Sequence, residues 1–312
     1  MADRSGDCRV IQHEMGETTV CGQPQRIVAL DPHILDSILA LGVQPIAYAE
    51  SRLLDFEQFN LPAEQIPYLG DRITTKPLNL GDRRNPSIER ILQVKPDLIL
   101  GERWLHEGHY DRYSKIAPTL LFSDIGENSE QHWKNDIKEI AKAVNRESEA
   151  QQLLEKFPQK IATVRNKLAS VVAAYPHVLV ASWDSLTSTI SIGPTSAGRL
   201  LEAIGFELVN TSTTNFGEWV SLSIEVLPEI NADLIFVMGT TPEFYNPEAQ
   251  LRSKWKDQPL LASLPSSQAG RIFFVDQHLW ISQIRGPITD ELILEQIFQL
   301  LLPLTDRQES KV

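Results

Sequence analysis

The sequence predicts an α/β protein of two lobes, each built on a parallel sheet and joined by one long α-helix. The chain has 312 residues, more than a single hydrophobic core usually serves. One phrase of sequence occurs in both halves: Glu89 precedes Asp97 by eight residues, and Glu225 precedes Asp233 by the same spacing. Short apolar runs also alternate with helical patterns along the chain. Together these observations predict two similar lobes.

The first lobe is predicted from apolar runs that alternate with helices. Residues 26–30 indicate a buried strand, and the apolar spacing of residues 32–41 indicates a helix that Gly42 ends. Further strands are predicted at residues 43–49, 98–100 and 120–122. Because strands and helices alternate, we expect the strands to be parallel.

The middle of the chain is helical in pattern from residue 129 to about residue 175. A break is expected at Asn145 and Arg146, so the second helix covers residues 147–174 and would be about 42 Å long. Pro158 should kink this helix without ending it, because the apolar phase continues on both sides. We therefore predict an N-terminal lobe of residues 1–145, a bridging helix of residues 146–175 and a C-terminal lobe of residues 176–312.

The second lobe repeats the alternation. A helix over residues 197–204 is ended by Gly205 and leads into a short strand at residues 206–209. The other predicted strands cover residues 178–181, 189–192, 234–238 and 272–275. A last helix over residues 288–302 closes the pattern.

Composition and motifs exclude several functions. Hydrophobic residues make up 42% of the chain and charged residues 22%, and no apolar run approaches the roughly 18 residues of a membrane span. The net charge of -12 argues against a nucleic-acid surface. There is no Gly-x-Ser-x-Gly motif, no glycine-rich phosphate loop after a strand and no cysteine spacing suited to zinc. We therefore predict a monomeric binding protein, not an enzyme.

The two cysteines indicate an oxidising compartment. Cys8 and Cys21 flank a stretch that could form a hairpin around Gly16, which would bring the two sulfur atoms together as a disulfide. Two unrelated thiols are the alternative. The first residues lack the apolar stretch of a signal peptide. The chain is therefore either cytoplasmic or a mature form from which a leader has been removed.

Arginine and aromatic residues follow several predicted strands, where parallel α/β lobes bind ligands. Residues from both lobes are expected to face one another there. Arginine donates to oxyanions through a planar fork, and indole provides a flat apolar wall, so the predicted ligand is anionic or carbonyl-rich. The candidate ligand-binding residues are Arg83, Arg84, Arg103, Trp104, Trp183, Arg199, Phe216, Trp219, Trp280 and Arg285.

The repeated glutamates indicate a second kind of site. Asn85 and Ser221 are predicted N-caps of the two repeated helices, which places Glu89 and Glu225 in outward-facing positions. The helix dipole alone favours a first-turn glutamate by about 0.3 to 1 kcal/mol. Its occurrence at two matching positions instead suggests that a two-fold symmetric partner docks there.

Two other functional classes are also considered. A direct metal or haem binder could use His106, His109, Tyr110 and His278. An enzyme acting at a two-lobed cleft, such as a reductase or an esterase, would need a cofactor motif or a nucleophile, and neither is evident in the sequence.

The chain resembles the periplasmic solute-binding proteins of ABC importers for ferric siderophores and cobalamin. The resemblance covers about residues 18–302. The matching segments are residues 19–20, 24–28, 41–43, 85–89, 95–99, 193–196 and 223–225. It implies two α/β lobes on one helical backbone with a shallow cleft between them. It also implies that Glu89 and Glu225 engage arginines of a permease dimer in the inner membrane.

Within that family the chain is most similar to the ferric-hydroxamate and ferric-dicitrate binders. Arg83 matches an arginine directed at the iron-coordinating oxygens, and Trp280 matches a cleft aromatic residue, whereas Trp104 and Trp219 stand beside such positions without aligning. The resemblance implies a ferric siderophore of hydroxamate or citrate-hydroxamate type as ligand, no cofactor, and a periplasmic location. A ferric dicitrate ligand and a native lipid anchor both stay open.

Overall fold

The structure, a computed structural model, describes residues 7–50, 56–122, 132–185, 187–209, 219–239, 247–281 and 285–305. The chain forms two compact units. The first contains the chain up to Phe157 together with Gln283–Thr289, and the second contains Pro158–Ser282 together with the rest of the C-terminal segment. The predicted fold class, two α/β units joined by a long helix, is confirmed. The boundary differs from the predicted ones at residues 145 and 175, because the helix is divided between the units.

A disulfide-linked hairpin begins the first unit. Its strands β1 (Cys8–His13) and β2 (Gly16–Cys21) are antiparallel, and Cys8 lies directly opposite Cys21. The structure contains the predicted disulfide between these two residues. Gly16 has a φ of 111°, which favours glycine at the end of the two-residue turn.

The first unit is built on a five-stranded parallel sheet in the order β5-β4-β3-β6-β7. These strands are β3 (Ile27–Ala29), β4 (Ala47–Glu50), β5 (Leu78–Asp82), β6 (Leu98–Glu102) and β7 (Thr119–Phe122). The helices are α1 (Pro32–Ala40), α2 (Pro62–Gln65), α3 (Ile88–Gln93), α4 (Arg103–His106), α5 (Tyr110–Tyr113) and α6 (His132–Val144), with 3-10 turns at Gly70–Arg72 and Glu107–His109. Because the strands are parallel, their carboxyl ends share one edge of the sheet.

The long helix is divided near its end. Helices α7 (Glu147–Lys167) and α8 (Ala169–Ala174) are separated by Leu168, whose backbone is not helical. Pro158 lies inside α7 without ending it, as predicted. The predicted break at Asn145 is also present, because its φ of 54° cannot continue a helix. Within the described part of the chain, no helix combines the length and apolar character needed to cross a bilayer.

The second unit has a mixed sheet in the order β11-β9-β8-β12-β13, with β10 paired to β8. Its strands are β8 (His177–Asp184), β9 (Thr189–Ile192), β10 (Glu207–Leu208), β11 (Val220–Ser223), β12 (Leu234–Gly239) and β13 (Ile272–Val275). Its helices are α9 (Ser196–Ile204), α10 (Pro247–Asp257), α11 (Pro259–Ser263), α12 (Pro265–Gln268), α13 (Gln277–Trp280) and α14 (Pro287–Leu301), with a 3-10 helix at Ile224–Glu229.

The second sheet is not wholly parallel, which corrects the prediction. Strands β9 and β11 run antiparallel to their neighbours, whereas β8, β12 and β13 are parallel. The short connection from β8 to β9 explains the difference, because a parallel pair needs a crossover of a dozen or more residues.

The repeated aspartates have the same structural role in the two units. Asp97 accepts hydrogen bonds from the backbone amides of Gln25 and Arg26 at 2.9 and 2.8 Å. Asp233 accepts from the amide of His177 at 3.0 Å. Each aspartate therefore fixes the start of its own strand to the start of the neighbouring one.

Candidate functional site

The carboxyl edge of the first sheet carries a concentration of ionisable side chains. Asp31 and His33 follow β3, Glu50 ends β4, Arg83 follows β5, and Glu102 ends β6. All except Arg83 are almost completely buried. Because ligands of parallel α/β folds bind beyond this edge, these residues form the candidate site.

Arg83 is held by its backbone and presents its side chain beside an exposed indole. Its amide donates to the carbonyl of Glu50 at 2.9 Å, and its own carbonyl lies 2.9 Å from Nε2 of His106. The guanidinium carbon lies 5.8 Å from the centre of the Trp104 ring, within the range of a cation–π contact. Trp104 is 41% exposed. The predicted ligand-binding pair Arg83 and Trp104 therefore lies together at the surface.

His106 is a structural residue of this edge. Its two ring nitrogens lie 2.9 Å from the carbonyl oxygen of Arg83 and 3.0 Å from that of Glu102. The ring is buried, and burial lowers the pKa of His106 below that of a free imidazole. Since both nitrogens face carbonyl oxygens, this geometry does not support the metal or haem alternative at His106. No cluster of three metal-ligating residues occurs among the described residues.

A buried ion pair lies next to Asp31. The side chain of Arg285 contacts the carboxylate of Glu102, and the exposed fractions of the two side chains are 12% and 1%. Burial opposes ionisation of Glu102, but the charges of Arg285, His33 and Arg83 outweigh it and lower the pKa of Glu102. Burial first, and the charge of Glu102 second, raise the pKa of Asp31 to about 7. Glu102 is therefore the ionised partner of this carboxylate pair.

His33 extends the network towards α6. Its Nδ1 contacts the carbonyl oxygen of Arg285, and its Nε2 lies 3.9 Å from the carboxylate of Asp136. Burial alone would lower the pKa of His33, but the carboxylates of Asp136, Glu102 and Asp31 outweigh burial and raise it. The network thus favours the charged imidazolium.

The segment that contains Arg285 is fixed to α1 by a buried carboxylate. Asp36 accepts hydrogen bonds from the amides of Ile288 and Thr289, both at 2.9 Å, and from the Thr289 hydroxyl at 2.7 Å. Any side chain at Gly286 would overlap with Asp36. Burial raises the pKa of Asp36 in spite of these hydrogen bonds. Asp36 therefore caps α14 and holds Arg285 against Glu102. Arg285, a predicted ligand residue, thus forms an ion pair in the interior of the fold.

The other two candidate ligand-binding arginines of this unit, Arg84 and Arg103, differ in their surroundings. Arg103 lies between two carboxylates, 3.7 Å from Glu14 in the hairpin turn and 3.4 Å from Glu107. Arg84 is exposed, and its backbone amide donates to the carboxylate of Asp82 at 2.8 Å. Compensating carboxylates therefore already surround the charge of Arg103.

Two tryptophans of the second unit are core residues, which corrects the prediction that they face a ligand. Trp183 is 1% exposed and makes an edge contact with Trp255 at 5.4 Å between ring centres. Trp280 is 0% exposed, stacks on Phe236 at 4.9 Å and donates from Nε1 to Gln296 at 2.8 Å. Trp183 is the penultimate residue of β8, so it lies within the strand and not after it.

Trp219 is the exposed aromatic candidate of the second unit. It is 42% exposed, and a side chain at position 193 would overlap with its ring, so Gly193 allows the indole to lie against the backbone. Arg199 is half-buried and donates to the hydroxyl of Ser196 at 3.1 Å. Phe216 lies outside the described residues.

The N-caps of the two repeated helices lie two residues later than predicted. Ser87 accepts from the amide of Arg90 at 3.3 Å, and Ser223 accepts from the amide two residues after it at the same distance. Neither Asn85 nor Ser221 is the cap; Ser221 is still part of β11.

The two glutamates nevertheless occupy matching positions. Glu89 and Glu225 each lie in the first turn of their helix, and both are exposed. The second helix is a 3-10 helix that contains Pro228.

Sequence reasoning missed the buried acids of the site. Asp31 directly follows the apolar run that ends at Leu30, and Glu102 follows the run that ends at Leu100 and Gly101. A charged residue directly after a buried strand was the available signal. The prediction considered only arginine and aromatic residues after strands, and therefore missed these two acids.

Comparison with known proteins gives a consistent result. The family model described as periplasmic binding protein matches residues 27–279. The Fe(3+)-citrate-binding protein YfmC of Bacillus subtilis is 27% identical over 95% of this chain and 86% of that protein. The Fe(3+) dicitrate-binding periplasmic protein FecB of Escherichia coli is 26% identical over 91% of this chain and 87% of that protein.

Solved structures share the fold. Staphylococcus aureus SirA complexed with staphyloferrin B superposes with a TM-score of 0.73 at 26% identity, covering 94% of this chain and 98% of that chain. The siderophore-binding protein BauB, bound to acinetobactin and ferric iron, gives a TM-score of 0.73 at 23% identity, covering 95% of this chain and 99% of that chain.

Proposed function

Because this chain belongs to the periplasmic binding protein family, we propose that it captures a ferric siderophore in the periplasm and delivers it to an ABC permease for iron uptake. The proposed ligand is of the hydroxamate or citrate-hydroxamate type. Relatives with similar sequences are named for ferric citrate and ferric anguibactin, which supports a ferric chelate as cargo. Iron is the cargo here, and the siderophore provides its ligands.

The observation that carries the proposal is the pairing of Arg83 with the exposed Trp104 at the carboxyl edge of the first sheet. The oxygens that coordinate Fe³⁺ in hydroxamate and carboxylate chelates keep partial negative charge. A guanidinium can donate to them in a planar fork, and the indole offers an apolar surface to the chelate backbone. Arg83 is suited to this role because its own backbone contacts fix its position.

A tryptophan-fluorescence titration tests the proposal. Ferric schizokinen, ferric citrate, ferrichrome and a ferric catecholate would each be added to the purified protein. We expect saturable quenching by the hydroxamate or citrate-hydroxamate chelates, because bound Fe³⁺ would lie near Trp104. Absence of saturable quenching by all four chelates would refute the proposal.

Ferric citrate is the second candidate ligand, and the names of two relatives favour it. The same titration separates the candidates. Tighter binding of ferric citrate than of ferric schizokinen would assign the chain to the citrate type.

The proposal includes a docking role for Glu89 and Glu225. Both carboxylates are exposed in the first turn of a serine-capped helix, one in each unit. A permease dimer that presents one basic patch on each subunit would match this repeated arrangement. Complementary charges of this kind guide encounter and fix orientation.

Substitution of either docking glutamate should separate transport from ligand binding. Glu89→Ala or Glu225→Ala is expected to reduce iron uptake by roughly tenfold or more, because an interfacial charge pair is lost. The dissociation constant for the soluble ligand should stay within about twofold of wild type. Uptake of radiolabelled iron in cells and fluorescence titration in solution measure the two effects.

Matched controls are available on the same unit in each case. Glu64 is an exposed first-turn glutamate of α2, and Glu229 is exposed at the end of the 3-10 helix that carries Glu225. Glu64→Ala and Glu229→Ala should leave uptake unchanged. If Glu89→Ala or Glu225→Ala weakens soluble ligand binding severalfold, the docking assignment is wrong.

A further inference from the structure

Asp31 and Glu102 are neighbouring buried carboxylates at the carboxyl edge of the first sheet. Asp31 is 0% exposed and Glu102 is 1% exposed. The backbone amide of Glu102 donates to Oδ2 of Asp31 at 3.0 Å, and the amide of Ile34 donates to Oδ1 at 2.8 Å. Because two buried carboxylates this close disfavour each other's charge, their titrations are linked. Arg285 contacts Glu102, so Asp31 is the member that more readily holds a proton.

Charged and titratable groups face Asp31 from every element around it. They are Glu102 on β6, His33 on α1, Tyr48 and Glu50 on β4, Arg83 after β5 and Arg285 before α14, while Asp136 on α6 faces His33. Most of these side chains are buried, whereas Arg83 is only half-buried and lies beside the exposed Trp104. A ligand from solvent therefore meets this network at Arg83.

We infer that Asp31 is a proton-binding site linked to the ligand, so that an anionic ferric chelate bound at Arg83 is taken up together with a proton. This inference rests on the proposed function. The negative charge of the chelate offsets the positive charge of Arg83, which otherwise stabilises the Asp31 carboxylate. A proton from solvent then forms an O–H bond on Asp31, and no other bond changes.

The titration behaviour of Asp31 agrees with this geometry. Burial and then the charge of Glu102 raise the pKa of Asp31 to about 7, whereas the charge of His33, the hydrogen bond from the amide of Ile34 and the charge of Arg83 lower it. Asp31 therefore holds a proton at neutral pH more readily than an exposed carboxyl group does. When a bound chelate weakens the influence of Arg83, the pKa of Asp31 rises further. For each unit of that rise, chelate binding at low pH becomes about tenfold stronger relative to binding at high pH.

Two ferric chelates of different charge test the linkage. Three hydroxamates balance the charge of Fe³⁺ in ferrichrome, whereas the citrate group of ferric schizokinen adds negative charge. Calorimetric titration at pH 7 in two buffers of different ionisation enthalpy gives the number of protons taken up. We expect proton uptake with ferric schizokinen and less uptake with ferrichrome, and weaker ferric schizokinen binding at pH 8 than at pH 6.

Substitution of Asp31 tests whether this residue takes up the proton that accompanies ligand binding. Asp31→Asn should abolish the proton uptake and flatten the pH dependence of the dissociation constant. Proton uptake that persists in Asp31→Asn would overturn the assignment. Binding of ferric schizokinen without proton uptake would overturn the inference and leave the proposed function standing; failure of every chelate to bind would overturn both.

A measurement without ligand gives an independent test. Carbon-13 NMR of the Asp31 carboxyl group in the ligand-free protein should show titration close to neutral pH. Arg83→Gln should raise the pKa of Asp31, and Arg84→Gln should not. A carboxyl group that titrates at about 4, as in an unstructured peptide, would contradict the inference whatever the ligand experiments show.

Discussion

Arg83→Gln is expected to weaken binding of an anionic ferric siderophore by roughly 10- to 100-fold. A charge-assisted hydrogen bond to an oxyanion contributes about 1.5 to 3 kcal/mol, and each 1.4 kcal/mol corresponds to about tenfold in the dissociation constant. Glutamine keeps a polar side chain and leaves the backbone contacts to Glu50 and His106 in place. The loss should therefore report the guanidinium itself, measured by fluorescence titration at fixed ionic strength.

Arg84→Gln is the matched control for this substitution. It removes the same charge one residue further along the chain, from a side chain that is exposed. We expect a change of less than about twofold, because a solvated surface charge contributes little and is screened by salt. Equal losses in the two variants would indicate long-range attraction alone, and an unchanged affinity in Arg83→Gln would remove Arg83 from the site.

Much of the fold could be predicted because hydrophobic periodicity and glycine caps are local signals. The helix before Gly205 ends where predicted, and that glycine has a φ of 118°. The repeated Asp97 and Asp233 correctly indicated two related units, since both hold a strand start in place. The direction of β9 was missed because periodicity reports a strand but not the direction in which it pairs.

The site was predictable only in part, because some of its contacts join residues that are far apart in the sequence. Trp104 follows the predicted strand at residues 98–100, whereas Arg83 was selected as a residue before a repeated helix, and the strand that precedes it, β5, was not predicted. Arg285 contacts Glu102 across 183 residues of sequence, and no local pattern indicates such a pair. Tryptophan is a residue type that often contacts ligands, but the direction of the Trp280 side chain depends on its packing against Phe236.

Glu102→Gln is expected to lower the free energy of unfolding by roughly 3 to 5 kcal/mol. The substitution keeps the shape of the side chain but leaves the buried charge of Arg285 without its carboxylate, and an unpaired buried charge is strongly destabilising. Urea unfolding at pH 7 would measure the change. Glu107→Gln is the control, because Glu107 forms a partly exposed pair with Arg103 and should contribute about 1 kcal/mol or less.

The ionic origin of this loss can be separated from packing by a double substitution. In Glu102→Leu/Arg285→Met both charges are removed together, so most of the stability should return, since buried pairs can often be replaced by apolar residues at little cost. If Glu102→Gln costs no more than Glu107→Gln, the buried pair is not a major contributor to stability.

The pH dependence of the same variant gives a further test, because the sign follows from the lowered pKa of Glu102. A carboxyl group with a lower pKa in the folded state stabilises the protein above its unfolded pKa of about 4.3, and this stabilisation is lost as the pH falls through the folded value. The difference between wild type and Glu102→Gln should therefore be full at pH 7 and shrink in acid. A difference that stays constant down to low pH would show that glutamine disturbs packing at position 102, and that the charge of Glu102 is not what stabilises Arg285.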